Sequence, residues 1–385
     1  MIEKNILSRL PEDWNEINEI VIYGFGRTAV RNIDKLAEDF HIALIIDNNP
    51  AICGKEYGGN VVQTFEQAKE NLRGKKIVIA TSSVAYMDIA KQLRAIGLEE
   101  NKDFCRLKDF MAEWYWKNRQ QVCLSQTFSS ITSRCTFRCK YCNFFAPYFS
   151  EDEHYDYDEK DILKDFEAYF KVVDYVASWS IMGGEPLINK HLPQIIKSVY
   201  EKFGKRIGYI QVISNGSLMP DKELLDIMKE CKVKMRLSDY THALPYAKKL
   251  EEVKKCLEDN EIAYDMSVYE QWFDLGISTM EIPDFSNCEA DTTRHMRLCA
   301  TGCHQLNDER FYFCGQGFAR TKKGFCSLQE GDCIDLTKCT GTIEEKEAIL
   351  KFCMGFPPKG YISVCRTCYG MGSDNDRIVG VAEQM

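Results

Sequence analysis

Between residue 19 and about residue 108, short apolar runs alternate with amphipathic, charge-rich stretches. Glu19-Ile-Val-Ile-Tyr23 predicts a strand running into Gly24-Phe-Gly26-Arg-Thr-Ala29, and Ile42-Ala-Leu-Ile-Ile46 predicts a second that stops at Asp47. A short strand near Val61-Val62, a helix over about 64–72, a strand at Lys76-Ile-Val-Ile-Ala80 and a helix over about 84–96 follow. This alternation predicts a small parallel sheet with helices on its faces. A second series has strand-like runs around 125–130, 177–182, 209–214, 234–238 and 263–268. Charged helical segments at about 158–172, 190–203, 221–230 and 245–258 separate them. Strand-helix repetition of this kind predicts a partial or full α/β barrel with its chemistry at the carboxyl ends of the strands. From about residue 271 the periodicity fades and cysteines dominate, which predicts a weakly structured region held by inorganic cross-links. The expected architecture is therefore α/β throughout: a Rossmann-like module over 1–110, the barrel over 121–270 and a Cys-rich region over 271–385.

Composition narrows the function. Hydrophobic residues at 45% and charged residues at 28% are close to the globular average, which argues against disorder or a fibrous repeat. A net charge of −9 disfavours a protein that grips nucleic-acid backbone or an anionic bilayer. No apolar run approaches the ~18 residues of a membrane helix, and the first residues lack the order of a signal peptide, so a cytoplasmic location is expected. The acidic run from Glu151 to Asp161 reads as a solvated loop leading into a helix, with a metal-binding loop as the rival.

The 18 cysteines change the picture. In a reducing compartment they are not explained as disulfides, and ten fall in the last hundred residues. Cys135-Thr-Phe-Arg-Cys139-Lys-Tyr-Cys142 places three thiols within eight residues, a spacing that lets one loop wrap a single inorganic cube. Three thiolates leave one iron of a [4Fe–4S] cluster open to a substrate or cosubstrate. A Cys3His zinc site and coincident buried thiols are the other readings.

With Tyr141 in the aromatic place of CxxxCxΦC, this motif resembles that of the radical S-adenosylmethionine (SAM) superfamily. Downstream, Met182-Gly183-Gly184-Glu185-Pro186 is similar to the family's GGE motif, and the resemblance implies that its backbone and Glu185 hold the amino group of SAM. Ser214-Asn215-Gly216 and Arg236-Leu-Ser238-Asp239 resemble the strand ends that bind its ribose and carboxylate. The resemblance implies reductive cleavage of SAM to a 5′-deoxyadenosyl radical that abstracts hydrogen from a small-molecule substrate. It also implies the partial (β/α)6 form of the barrel and a low-potential electron donor such as flavodoxin or ferredoxin.

Cys303 and Cys314 flank a predicted hairpin that turns at Asn307-Asp-Glu, and Cys365-Arg-Thr-Cys368 adds a CxxC pair. These four resemble the twitch form of a SPASM-type extension, implying a second, auxiliary [4Fe–4S] cluster, with Cys299 the alternate to Cys303. A zinc ribbon is the rival. His295 and His304 read as packed or surface histidines rather than ligands.

Gly24, Gly26 and Asp47 fit the dinucleotide fingerprint, in which glycines admit phosphate to a helix N-terminus and a carboxylate reaches a ribose. Thr81-Ser82-Ser83 would line the same crevice. Ile45-Ile-Asp-Asn-Asn-Pro with Gly54-Lys-Glu-Tyr-Gly-Gly also resembles small nucleotide-binding modules of bacterial sugar-modifying and acyltransfer enzymes. NAD, a nucleotide-sugar and a purely structural role stay open for this module. The expected function is hydrogen abstraction from a carbohydrate, nucleotide-linked, leading to oxidation, epimerisation or elimination. A peptide-modifying maturase and a non-catalytic metal-binding protein are the alternatives.

Overall fold

The computed structural model describes residues 7, 9–81, 83–276, 289–299, 303–372 and 375–385. Ser82 and Cys288 lie outside the described residues. The chain forms two compact units, Met1–Ser125 with Val173–Ala177, and Gln126–Val172 with Ser178–Met385.

The first unit is built on four parallel strands, β1 (Glu19–Tyr23), β2 (His41–Ile46), β3 (Ile77–Ile79) and β4 (Phe104–Arg106), in the order β2-β1-β3-β4. Ile20, Val21, Ile22 and Tyr23 are all buried, as expected of a strand covered on both faces. Helices α1 (Arg27–Asp39), α2 (Ser83–Ala95) and α3 (Leu107–Arg119) complete the unit. The last strand and helix were not predicted. Strand β4 is three residues long, and α3 carries three of its four aromatic rings, Trp114, Tyr115 and Trp116, in sequence, which hides the helical period. Trp14 is buried beneath α3, its indole N–H donating to Lys102 O at 2.9 Å and its carbonyl accepting from Trp114 Nε1 at 2.9 Å.

In the second unit the five predicted strands are β5 (Thr127–Ser130), β6 (Tyr175–Met182), β7 (Ile207–Ser214), β8 (Lys234–Asp239) and β9 (Tyr264–Val268). Helices α4 (Glu159–Tyr169), α5 (Leu192–Phe203), α6 (Lys222–Glu230) and α7 (Ala247–Asp259) alternate with them. The acidic run from Glu151 leads into α4 as expected: Asp158 caps the helix by accepting from Lys160 N and Asp161 N, and the rest of the run forms its first turn.

Beyond residue 271 the described residues form regular elements, contrary to expectation. It contributes β10 (Gln305–Asn307), β11 (Arg310–Tyr312) and β12 (Cys333–Asp335), with helices α8 (Glu289–Leu298), α9 (Gly315–Lys323) and α10 (Ile343–Cys353). Strand β10 pairs parallel to β5, so the sheet runs β9-β8-β7-β6-β5-β10-β11-β12. The Cys-rich region thus shares the sheet of the second unit instead of forming a separate body. Its strands are too short for a periodic signal, but Phe311, Phe318, Leu336, Ile349 and Leu350 are fully buried. The β10–β11 hairpin turns at Asp308 and Glu309, both at positive φ (56° and 51°), the conformation of a two-residue hairpin loop. The side chain of Asn307 fixes the junction: it accepts from Ser130 N and donates to Ser130 O, each at 3.0 Å.

Gly24 leaves β1 with φ 93°, where an added Cβ would lie 2.1 Å from Thr81 Cγ2 and 3.3 Å from Ala80 O. Gly24→Ala is therefore expected to destabilise the first unit by about 3 kcal/mol. Urea unfolding of the full chain should show that loss in its first transition.

Candidate active site

After β5 the chain runs through Ile131–Arg134 to Cys135, and the turn after β6 lies flush against it. Gly184 N donates to Thr132 O and Glu185 N to Arg134 O, both at 2.8 Å. A Cβ on Gly183 would stand 2.3 Å from Thr132 O, and one on Gly184 2.1 Å from Arg134 O. The two glycines are needed because backbone meets backbone here.

Glu185 is fully buried, its Oε2 accepting from Asn215 N at 2.7 Å and its Oε1 from Leu187 N at 3.2 Å. The Asn215 amide in turn donates to Thr136 Oγ1 at 3.0 Å and points at Cys135 Sγ, 3.7 Å away. The three motifs are thus one hydrogen-bonded unit, with Glu185 bracing the strand ends. Burial raises the Glu185 carboxyl to about 7 against these donors. At the next strand end, Arg236 donates to Ser267 Oγ at 3.0 Å and to the Tyr269 hydroxyl. Ser238 is buried, and its carbonyl accepts from Tyr246 OH at 3.2 Å. Tyr141 is half-buried, with Lys140 Nζ 5.1 Å from its ring centre.

Cys135, Cys139 and Cys142 lie on one loop, and Cys139 and Cys142 pack with Phe137, Tyr240, Leu244, Tyr269 and Trp272. Burial pushes the Cys135 thiol up to about 12 and Cys139 to about 11, and raises Cys142 as well. Each sulfur nevertheless meets N–H donors: Phe137 N at 3.5 Å for Cys135, Gln384 Nε2 at 3.3 Å for Cys139, and main-chain N–H groups of residues 144–146 for Cys142.

A second set of thiols forms within the same unit. Cys299, Cys314, Cys365 and Cys368 line one small pocket with His295, Gln316, Gly370 and Met371. Of the two alternates it is Cys299 that joins the other three; Cys303 is not among the described residues of that lining. The hairpin pairing ends at Gln305 opposite Tyr312, short of Cys303 and Cys314. The thiol that shares the Cys314 pocket comes from the end of α8 instead. Met371 N donates to Cys299 Sγ at 3.4 Å and Gly370 N to Cys368 Sγ at 3.3 Å. Burial raises the thiols of Cys314 and Cys365 and lifts Cys368 to about 11, which the Arg320 cation opposes.

Arg320 and His295 are functional candidates that spacing alone does not reveal. Arg320 is 2% exposed, a buried charge beside buried thiols, and its guanidinium donates to Leu275 O at 2.7 Å and Gln316 Oε1 at 3.1 Å. His295 is packed, as expected, with Nε2 2.9 Å from Cys368 O, yet it also lines the thiol pocket. His304 is buried, with Nδ1 2.8 Å from Phe313 O. Among the described residues, no three His, Cys, Asp or Glu side chains are grouped so as to hold a single metal ion.

In the first unit Gly26 precedes α1 with open space where a Cβ would be. Asp47 faces the same turn, accepting from Phe25 N at 2.6 Å and, through its other oxygen, from Asn49 N at 2.7 Å.

Residues 129–265 match the family model described as Radical SAM superfamily. The second unit carries a radical SAM domain. Among curated proteins, the chain is 30% identical over 100 residues to GTP 3′,8-cyclase 1 of Mycobacterium tuberculosis, covering 24% of this chain and 26% of that protein. It is 31% identical over 128 residues to GTP 3′,8-cyclase of Campylobacter jejuni, covering 31% and 37%. The match thus spans about a quarter to a third of those relatives, within the reach of one domain. Among solved structures, BtrN in complex with AdoMet and 2-DOIA aligns over 68% of this chain and 98% of that one, at 15% identity and a TM-score of 0.43. Native anSMEcpe with bound AdoMet aligns over 65% and 89%, at 12% identity and a TM-score of 0.41. No helix among the described residues is long and apolar enough to cross a membrane.

The radical SAM domain implies a [4Fe–4S] cluster and SAM, and the residues fit them. Three thiols share one loop, N–H donors point at their sulfurs, and a glycine turn admits close backbone approach. Such donors favour sulfur that carries negative charge, as a cluster's does.

The raised Glu185 carboxyl has a consequence for the apo chain. Below about 4.5 the group is protonated whether folded or not, and its contribution to stability is complete. Between there and about 7 only the folded chain keeps the proton, so that contribution is lost as pH rises. Moving from pH 5 to 8.5 should therefore shift the stability difference between wild type and Glu185→Gln by roughly 3 kcal/mol in favour of the variant. Urea titrations of both proteins at the two pH values measure it; parallel curves would refute the assignment.

Proposed function

We propose that the chain is a radical SAM enzyme that abstracts hydrogen from a carbohydrate joined to a nucleotide. The observation that carries the reading is the Glu185–Asn215–Cys135 connection, which ties three motifs of the domain into one site at adjacent strand ends. Cys135, Cys139 and Cys142 would hold the cluster with its open iron, and Tyr141, Gly183, Gly184, Glu185, Ser214, Asn215, Arg236 and Ser238 would surround SAM. When bound, the pair supplies an electron and a 5′-deoxyadenosyl radical able to take hydrogen from an unactivated carbon. The protein's own part is to orient and to exclude water. Phe137, Tyr240, Tyr269 and Trp272 form an apolar wall beside the first thiols.

Cys299, Cys314, Cys365 and Cys368 are proposed as ligands of a second [4Fe–4S] cluster of the twitch type, with Arg320 offsetting its negative charge. Four thiolates leave no open iron, so its role would be electron transfer, with a low-potential donor of the flavodoxin or ferredoxin kind supplying the chain. For the nucleotide, support comes from the first unit. Sheet order reverses beside β1, so Gly24 and Thr81 sit at the switch point where ligands bind in open α/β sheets. The names of the curated relatives, cyclases of GTP, are in keeping with nucleotide chemistry on this domain.

Anaerobic reconstitution followed by iron, sulfide and zinc analysis tests the cofactors: about eight irons per chain are expected, and about four with one zinc would remove the second cluster. Cys139→Ala should abolish 5′-deoxyadenosine formation from SAM, whereas Cys368→Ala should leave part of it, uncoupled from substrate. Equal activity in the Cys139 variant would refute the mechanism. A panel of nucleotide-sugars should accelerate SAM cleavage by the full chain; if none does, while peptides do, the carbohydrate reading falls.

A further inference from the structure

The segment from Ile378 onward straps the first cysteine loop. Ile378 and Val379 pair antiparallel with Phe273 and Trp272. Val381 and Ala382 are then buried in the cluster that contains Cys139 and packs against Phe137, Cys142 and Tyr240. Beyond them the chain adds one extended rung to the loop, with Gln384 the antiparallel bridge partner of Cys139. Lys140 N donates to Glu383 O at 2.7 Å, and Met385 N to Arg138 O at 2.8 Å. Outside the rung, Lys140 Nζ lies 3.3 Å from Glu383 Oε1.

The side chain of Gln384 has one possible orientation. Arg138 N is 2.8 Å from Oε1, and a main-chain N–H can only donate, so that atom must be the oxygen. The amide nitrogen is thereby turned to Ala382 O, at 2.6 Å, and to Cys139 Sγ, at 3.3 Å. A donor 245 positions away in sequence is thus locked against the middle thiol of the loop.

We infer that Gln384 is a positioning residue that sets the reduction potential of the cluster on Cys135, Cys139 and Cys142. An added electron increases the negative charge shared by the ligating sulfurs, and an N–H aimed at one of them stabilises the reduced form more than the oxidised one. The strap delivers this donor and holds its orientation through Arg138 N. The inference rests on the reading of these three cysteines as cluster ligands and goes beyond it by assigning a residue outside the matched domain.

The test uses the full chain, reconstituted anaerobically, with iron counted and the potential titrated by electron paramagnetic resonance on the signal that changes when SAM is added. Gln384→Leu removes the donor and should move the potential negative at unchanged iron content. Gln384→Glu should move it further, and Gln384→Lys, which restores a donor with positive charge, should move it positive of wild type. Equal potentials across the series at full iron would overturn the inference. So would loss of iron in Gln384→Leu together with full iron and an unshifted potential in Gln384→Lys, which would make the strap a brace alone. Failure of the underlying reading looks different: wild type and Cys139→Ala would then hold the same iron, with no signal responding to SAM.

Discussion

The contact on which the second unit depends is the approach of the Met182–Glu185 turn to the backbone of residues 132–134. Two main-chain hydrogen bonds of 2.8 Å join them, and at both glycines a side chain would collide with a carbonyl oxygen. Once the turn is seated there, Glu185 lies under the ends of β6 and β7, where it accepts from Asn215 N. Asn215 then reaches Thr136 and Cys135. The cysteine loop is therefore not a free appendage after β5. It is bonded to the two neighbouring strand ends before any metal binds.

Burial acts in the same direction on the two kinds of acid in this region. Glu185 loses solvation but gains main-chain donors, and it settles near neutrality. The thiols lose solvation as well, and because an unperturbed thiol already titrates above neutrality their protons are held tightly. Such thiols wait as protonated, buried groups until a metal displaces the proton, and ligation is then coupled to proton release. The second set follows the same logic with one addition: Arg320 brings a positive charge into the interior, where an unpaired cation is costly unless negative charge is near.

In the first unit Asp47 accepts the Phe25 N–H that precedes α1, so its carboxylate already sits where the helix dipole favours an anion. A nucleotide at this turn would share it with that carboxylate, and ribose hydroxyls, which donate hydrogen bonds, suit such a neighbour better than phosphate does.

The sequence by itself determined the strands and helices between residues 127 and 268 to within about three residues, because strand-like runs and charged amphipathic helices alternate there at a regular spacing. It also determined the first cysteine triplet and its companions, since CxxxCxxC, GGE and SNG are local patterns. It did not show β4, α3 or the elements beyond residue 271, where the strands are only three residues long and no regular strand-helix alternation marks the helices between them. Nor did it reveal that Cys299 takes the place expected of Cys303: both precede Cys314 at plausible distances, but the pocket is closed by the end of α8, which arrives from outside the hairpin. Gln384 and Arg320 were equally hidden, as their meaning lies in sulfur atoms far away along the chain. Which groups meet across such separations is set by how the chain packs, and only the tertiary structure decided it.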